Sequence, residues 1–162
     1  MAIPVSEQIA VIIRNRLALI STANSYETTT TGVVRGTQRG DFQPKDYQIV
    51  LTQGNKTENK ELSCPGSPPL VAWDQPFLIA GILRQSETDQ TAIDTLKNVF
   101  EADVIKALNT GVAWWNMEAK AINSTVSGAT WNQADSGSDS SFELTLLVTY
   151  RTAENDPYTE HP

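Results

Sequence analysis

Histidine and cysteine are almost absent from this chain of 162 residues, which contains one of each, His161 and Cys64. A single cysteine excludes an intrachain disulfide and the cysteine clusters of zinc and redox sites. His161 lies one residue from the end of the sequence, where chains commonly fray, so it is a poor candidate for a rigidly held base. Ser–His–Asp and Cys–His catalytic arrangements are therefore not expected.

Basic residues are also scarce, because 12 Lys and Arg stand against 19 Asp and Glu and give a net charge of −7. Proteins that bind nucleic acid tightly use clustered Lys and Arg to displace counterions from phosphates. The composition argues against a protein whose main task is to hold DNA or RNA, although a passive conduit for DNA would tolerate this acidity.

Long hydrophobic runs are missing. The most apolar stretch, residues 9–20, is interrupted by Arg14, Asn15 and Arg16 and is shorter than the roughly 20 residues of a membrane-spanning helix. It also lacks the order of basic start, apolar centre and small-residue cleavage site of a signal peptide. We expect a soluble protein that is made in the cytoplasm and has no membrane partner.

Motifs for catalysis or for cofactor binding are equally hard to find. There is no phosphate-binding glycine loop and no His/Cys spacing typical of a metal site, so we predict no catalytic, cofactor-binding or metal-binding residues and no cofactor. Glu118 beside Trp114 and Trp115 is the one pairing that suggests a glycosidase, and an aromatic cluster next to a solvated glutamate is the commoner explanation. Asp135 and Asp139 lie in a Ser/Gly-rich segment, but it lacks the regularly spaced ligands and the closing glutamate of a calcium-binding loop, so an ordinary surface turn is the commoner explanation.

Two segments have the spacing of amphipathic helices. In residues 4–21, apolar side chains recur every three or four positions, from Val5 to Ile20, and Pro4 suits a first helical turn. The second segment has the same spacing from Ile93 to Leu108, with Phe100 near its centre. We expect this second helix to pack on the last strand of the chain through the following residues: Ile93, Leu96, Phe100 and Leu108.

Strands are indicated by Thr- and Val-rich or alternating segments at residues 28–35, 46–54, 77–83, about 118–131 with a kink near Gly128, and 142–149. Pro76 is expected to forbid an unbroken central strand over residues 71–84. Residues 55–70, which contain three prolines, are expected to form a loop or a weak hairpin. The order predicts an α+β fold in one domain, residues 1–162, with a mixed or antiparallel sheet and two main helices packed on one face.

A modest basic patch, formed by Arg35, Arg39 and Lys45, surrounds the predicted hairpin of the first two strands. Such a patch is either an ordinary solvated surface or a contact for an acidic partner subunit. The residues alone leave both alternatives open.

Three stretches, taken in order, resemble tail terminator (tail completion) proteins of long-tailed bacteriophages. They are "IIRNRLALISTANSYETTTTGVVRG" at 12–36, "FQPKDYQIVLTQG" at 42–54 and "FELTLLVTYRTAENDPYT" at 142–159. The first resembles the family's opening helix, its Ala-Asn-Gly-Tyr turn and the strand that follows, with Ser25 in place of the glycine. The third resembles the ending of this family and of related neck proteins.

The resemblance implies a structural virion protein in the tail–neck region, and no enzyme. It implies a ring of six subunits that caps the finished tail tube, ends elongation and joins the tail to the head. The implied partners are other copies of this chain, the tail tube protein, the connector or neck proteins, and the sheath protein if the tail is contractile. Genomic DNA would only pass through the lumen, where a basic surface would retard it.

The resemblance also implies an assembly role for the C-terminal segment, about residues 152–162. We expect this segment to leave the body in an extended form, because Pro157 should prevent further sheet pairing. It is either a segment that becomes ordered on a partner or a frayed terminus without a role. Arg151 should reach a neighbouring carboxylate. The predicted subunit or partner contacts are the following residues: Arg35, Arg39, Arg151, Asp156, Pro157 and Tyr158.

Two other functions are compatible with the sequence. A neck or head-completion connector protein would have the same ending. A carbohydrate-binding module is suggested by four tryptophans, because aromatic faces stack on sugar rings. These tryptophans are Trp73, Trp114, Trp115 and Trp131.

We predict that the purified protein has no hydrolase activity and needs no metal, because no histidine constellation is available for such chemistry. An assay on polysaccharide substrates, with the Glu118→Gln variant as the comparison, checks this. Glycosidase turnover that disappears in the variant would contradict the prediction.

Overall fold

The computed structural model describes residues 2–36, 45–84, 90–110, 116–133 and 139–161. Within these ranges the chain forms two α-helices and seven β-strands in one mixed sheet. The helices are α1 (Val5–Ala18) and α2 (Gln90–Leu108). The strands are β1 (Gly32–Arg35), β2 (Gln48–Gln53), β3 (Thr57–Glu58), β4 (Leu70–Arg84), β5 (Asn123–Gln133), β6 (Asp139–Ala153) and β7 (Asp156–Glu160).

The sheet has the strand order β1-β2-β4-β6-β5, with β3 paired to β4 and β7 paired to β6. β1 and β2 are parallel and every other pairing is antiparallel, which confirms the predicted α+β fold with a mixed sheet. The predicted hairpin of the first two strands is wrong. Parallel neighbours need a crossover of about a dozen residues, and residues 36–47 provide that length.

Pro76 does not interrupt β4, so the expectation of a broken or edge strand is wrong. Antiparallel pairing with β6 runs without a gap from Leu70 to Arg84. On its other side β4 pairs with β2 from Phe77 onwards and with β3 up to Asp74, so Pro76 lies where neither strand pairs. Its carbonyl there accepts a hydrogen bond from the Gly54 N–H at 2.9 Å, and the missing proline N–H costs no ladder bond.

Side chains of β4 and β6 alternate between the two faces of the sheet, as the sequence predicted for β6. The even-numbered residues of β6 from Phe142 to Tyr150 are buried, and in register they lie beside odd-numbered residues of β4 such as Phe77 and Ile79. The core cluster joins these side chains to the apolar residues of both helices. We call this side of the sheet the helix-covered face.

Aromatic rings form the contact between α2 and the sheet. The Phe100 ring lies edge-on to Phe142, with centroids 5.4 Å apart, and edge-on to Tyr47 at 5.3 Å. Gly81, beside Phe142 in register, has no room for a side chain, because a Cβ there would overlap the Phe142 ring. The predicted packing of α2 on β6 is confirmed for Phe100, which contacts Phe142. The prediction that Leu96 also packs there is wrong, because Leu96 is 38% exposed.

Two predicted boundaries are also corrected. α1 ends at Ala18 instead of 21, and a short 3-10 turn, Thr22–Asn24, follows it. The strand predicted from 118 begins at Asn123, while the kink near Gly128 is confirmed as a register shift at a glycine with φ of 44°. No helix in the described part of the chain is long and apolar enough to cross a membrane.

Replacement of Phe100 by alanine should lower the free energy of unfolding by about 3–5 kcal/mol, because it leaves a cavity between α2 and the sheet. Urea denaturation followed by circular dichroism measures the loss. Leu96→Ala on the same helix is the control and should cost less than about 1 kcal/mol. A loss below about 1 kcal/mol for Phe100→Ala would mean that this ring does not anchor the helix.

Candidate interface residues

The C-terminal segment forms a β-hairpin, so the prediction that Pro157 prevents further pairing is wrong. β6 turns at Glu154–Asn155 and returns as β7, with Thr152 opposite Glu160 and Ala153 opposite Asp156. The register shifts between these two pairs, and Pro157 falls in the shifted part. A proline is tolerated there because β7 is an edge strand and no ladder bond from its nitrogen is needed.

The hairpin is attached to the body of the protein at its far end. The Lys120 Nζ lies 2.6 Å from the Glu160 Oε1, and the His161 N–H donates to the Arg151 carbonyl at 3.0 Å. The hydrogen bond from Lys120 is the main cause that lowers the pKa of Glu160 from its ordinary value of 4.5. This segment is therefore part of the sheet in the isolated chain.

The outer strand of the hairpin exposes a small group of polar and aromatic side chains. The Asp156 carboxylate accepts a hydrogen bond from the Tyr158 N–H at 3.0 Å. Its pKa is lowered, first by the Thr159 hydroxyl and then by this backbone bond. Pro157 is exposed and the Tyr158 side chain is 46% exposed. An exposed tyrosine beside a locally fixed carboxylate is typical of the anchors of protein interfaces.

Arg151 lies on β6 and points to the sheet face opposite the helices. Its Nε is buried and has no hydrogen-bond partner, and no carboxylate within the described residues forms an ion pair with it. The predicted contact between Arg151 and a neighbouring carboxylate is thus not made inside the described part of the subunit. A half-buried guanidinium of this kind retains donors that another molecule could use.

Arg35 lies at the other side of the sheet, at the end of β1. It forms an ion pair with Glu7 of α1, so part of its charge is already compensated within the subunit. Arg39 lies outside the described residues. Of the predicted contacts, Arg151, Asp156, Pro157 and Tyr158 come together around the β6–β7 hairpin, whereas Arg35 belongs to a separate edge.

One anchoring contact was missed by the sequence reasoning. The carboxylate of Asp103 on α2 is 4% exposed and accepts bonds from the Thr28 N–H and hydroxyl, each at 2.7 Å. Nearby, the Lys106 Nζ donates to the Ser25 carbonyl at 2.5 Å. The available signal was an aspartate within the apolar stripe of α2, because a buried carboxylate needs donors. These bonds hold the "STANSYETTTT" turn, in which Ser25 has the positive φ of 66° that favours glycine.

The residues that suggested chemistry lie only partly within the described chain. Glu118 is exposed and its Oε1 lies 3.7 Å from the Arg16 Nη2. Trp114, Trp115 and Asp135 lie outside the described residues. Within the ranges that the structure describes, no group of three or more His, Cys, Asp or Glu side chains is arranged to hold a metal ion.

The two described tryptophans are half-buried on the helix-covered face. Lys56 lies over the Trp73 ring at 4.2 Å, and Trp131 packs on Phe142 at 5.1 Å. Their register partners on β6 are eight residues apart, which is about 26 Å along a strand. The two rings therefore do not form a shared platform for a sugar chain.

No protein-family model matches the sequence, and no curated protein matches it.

Lys120→Met should raise the pKa of Glu160 towards 4.5, because it removes the hydrogen bond that favours the carboxylate. A lowered pKa in the folded state contributes stability above pH 4.5 that disappears as the pH falls through the folded-state value. The variant should therefore lose about 0.5–1 kcal/mol at pH 7 and nearly nothing at strongly acidic pH.

Carboxyl-carbon NMR titration measures this pKa, and urea unfolding at the two pH values measures the stability. The pKa of Asp156 is the internal control, because its lowering comes from Thr159 and Tyr158 and should survive while the hairpin stays formed. Equal Glu160 pKa values in the two proteins would show that Lys120 does not hold this strand.

Proposed function

We propose that this protein is a structural virion protein of a long-tailed phage that forms a ring on the end of the tail tube. In this proposal the ring, of six subunits, ends tail elongation and provides the surface for joining to the head. One observation carries the proposal. The segment with the closest resemblance to tail terminators, residues 142–159, is also the segment that forms most of the interior strand β6 and most of the exposed edge strand β7.

The geometry of the hairpin supports a role in assembly. β6 is held along its whole length by β4, so the hairpin at its end is carried by the most extensively paired part of the sheet. Exposed Pro157 and Tyr158 lie on an edge strand, where a partner can approach them. An aromatic residue on a segment that already pairs with the sheet loses less conformational entropy on binding than one on a free tail, which favours Tyr158 as a contact.

Ring closure needs two different patches that meet head to tail. In the proposed ring, the basic edge with Arg35 and Arg39 meets the acidic C-terminal hairpin of the next subunit. Opposite charges would favour this pairing over self-pairing and would offset part of the repulsion between chains of net charge −7. Glu7 competes for Arg35, so the contact should be weak in solution and should form mainly on the tube end.

The proposed partners are the tail tube protein, the connector or neck proteins and, in a contractile tail, the sheath protein. A neck or head-completion protein is the nearest alternative, and the same hairpin would serve it. The two tryptophans that the structure describes, Trp73 and Trp131, do not favour the carbohydrate-binding module, because they are half-buried and far apart. The acidity is compatible with DNA passage through a ring, since few cations would retain the phosphates.

Deletion of the gene, followed by electron microscopy of the particles, tests the proposal in the virus. Overlong or headless tails are expected, because the tube would lack its terminating ring. Tails of normal length that still join heads would contradict the proposal.

Charge reversal at Arg35 and Arg39 should weaken ring assembly on the tube while the subunit remains folded. Glu7→Gln is the matched control: it breaks the same internal ion pair but leaves Arg35 positive, so it should not weaken assembly. Binding to purified tubes measures the effect. Equal loss in both variants would show that the internal pair, and not the subunit contact, is what matters.

A further inference from the structure

Around β6, the described residues place no helix over the sheet face opposite α1 and α2. We call this region the open face; it includes Glu143, Thr145, Leu147, Thr149 and Arg151 of β6. None of these side chains belongs to the core cluster that joins the helices to the sheet. Leu147, at the centre of the row, is 39% exposed. Pro76 and Leu78 of the neighbouring strand β4 are only partly buried on the same face, so the apolar centre extends over two strands. Contiguous apolar surface of this kind, and not a single exposed leucine, is what marks an interaction site.

Two opposite charges flank Leu147 at equal distances. Glu143 lies four residues before Leu147 and Arg151 four residues after it, and all three point to the same face. Each charged residue is therefore about 13 Å from Leu147 along the strand. Glu143 is exposed, and the buried Nε of Arg151 lacks a partner within the described chain. Neither charge is compensated by an ion pair among the described residues.

We propose that the open face binds the open face of a second copy of this chain. A two-fold axis that lies between the two sheets, across the strands at Leu147, makes the two β6 strands antiparallel. It places Leu147 on Leu147 of the other copy and Arg151 opposite Glu143 at both ends. An axis along the strands would instead place Arg151 opposite Arg151, so the charges select the first arrangement.

The other side chains of the open face are compatible with this contact. Pro76 pairs with Leu147 in register and extends the apolar centre onto β4, together with Leu78. Asp74 of β4 is a second acidic side chain on this face, and it lies opposite Thr149 in register. Its two carboxylate oxygens accept hydrogen bonds, one from the Thr149 hydroxyl at 2.6 Å and one from the Asn59 amide at 3.0 Å. Its hydrogen bonds are already made, which reduces the cost of covering it.

The contact suits a chain that otherwise repels its copies. The net charge is −7, whereas Glu143 and Arg151 cancel one another on this surface. The exposed part of this face spans about 26 Å along β6 and about 10 Å across β4, β6 and β5, or about 250 Å² per copy, because Gln48 and Val50 of β2 are buried on the same side. That is about a third of the area that each partner contributes to a standard protein interface, so the dimer should dissociate on the order of hundreds of micromolar or above. The proposal does not depend on a role in a virus tail.

Sedimentation of the full chain over a range of concentrations tests the dimer. The mass should rise from 17.7 kDa towards twice that value. Glu143→Arg and Arg151→Glu should each raise the dissociation constant about tenfold or more, because each places like charges together at both ends. The double variant exchanges the two charges and should return to within about threefold of the original value.

Matched controls carry the same charge changes at other exposed sites. Glu27→Arg lies in the turn after α1 and Arg14→Glu on α1, and neither should alter the dissociation constant by more than about twofold. If Arg151→Glu fails to fold, Glu143→Arg alone remains informative, because Glu143 is exposed.

A monomer at every concentration would contradict the proposal and leave this face to a different partner. A dimer that is insensitive to the single reversals, or that the double variant fails to restore, would also contradict it. A larger ring that is insensitive to Glu143 and Arg151 would contradict this proposal while it supports the proposed assembly role. If the double variant restores the dimer, and deletion of the gene leaves the tails normal, the results would support this proposal and contradict the proposed assembly role.

Discussion

The rest of the structure depends on the antiparallel ladder between β4 and β6. Each strand has 15 residues, and the two pair from Leu70 opposite Ala153 to Arg84 opposite Asp139. A slip of one residue would turn every side chain to the opposite face, so the burial of Phe77, Phe142 and their neighbours defines one register. That register also determines what the other face presents: Leu147 with Glu143 and Arg151 on either side of it. The core and the exposed surface are therefore consequences of one pairing.

The same ladder explains why the C-terminal hairpin is ordered. β6 continues past the end of β5 to Ala153, and its free edge there accepts β7. Lys120 and Glu160 then connect the new strand to the segment that precedes β5. A contact surface that is built before assembly costs less ordering entropy than a tail that folds only on its partner. The hairpin thus offers a partner a preformed edge with Tyr158 exposed.

Much of the fold could be predicted because it depends on local periodicity. Helical spacing identified α1 and α2, and alternation identified the buried side of β6. The errors have non-local causes. Pro76 is tolerated because β2 ends and β3 has not yet begun at that position, which no property of β4 alone reveals. Two other features also depend on which edge of the sheet is still unpaired when a strand is added. They are the parallel pairing of β1 with β2 and the pairing of β7 with β6.

The candidate site was predictable only in part. The resemblance identified Asp156, Pro157 and Tyr158 as a group, but the hairpin that displays them was not foreseen. Arg151 was expected to find a carboxylate, and its missing partner became visible only when the neighbours of its side chain were known. Asp103 was overlooked because its role depends on the backbone of a turn 75 residues earlier in the chain. Contacts of this kind join distant segments and leave almost no local pattern.

The central claim is that this chain forms a ring on the end of a tail tube through its C-terminal hairpin. Electron cryomicroscopy of intact tails tests it most directly. We predict a ring of this chain at the head-proximal end of the tube, with β7 and Tyr158 in contact with a neighbouring subunit. Tails whose ends lack this chain, or a ring in which β7 faces only solvent, would contradict the account.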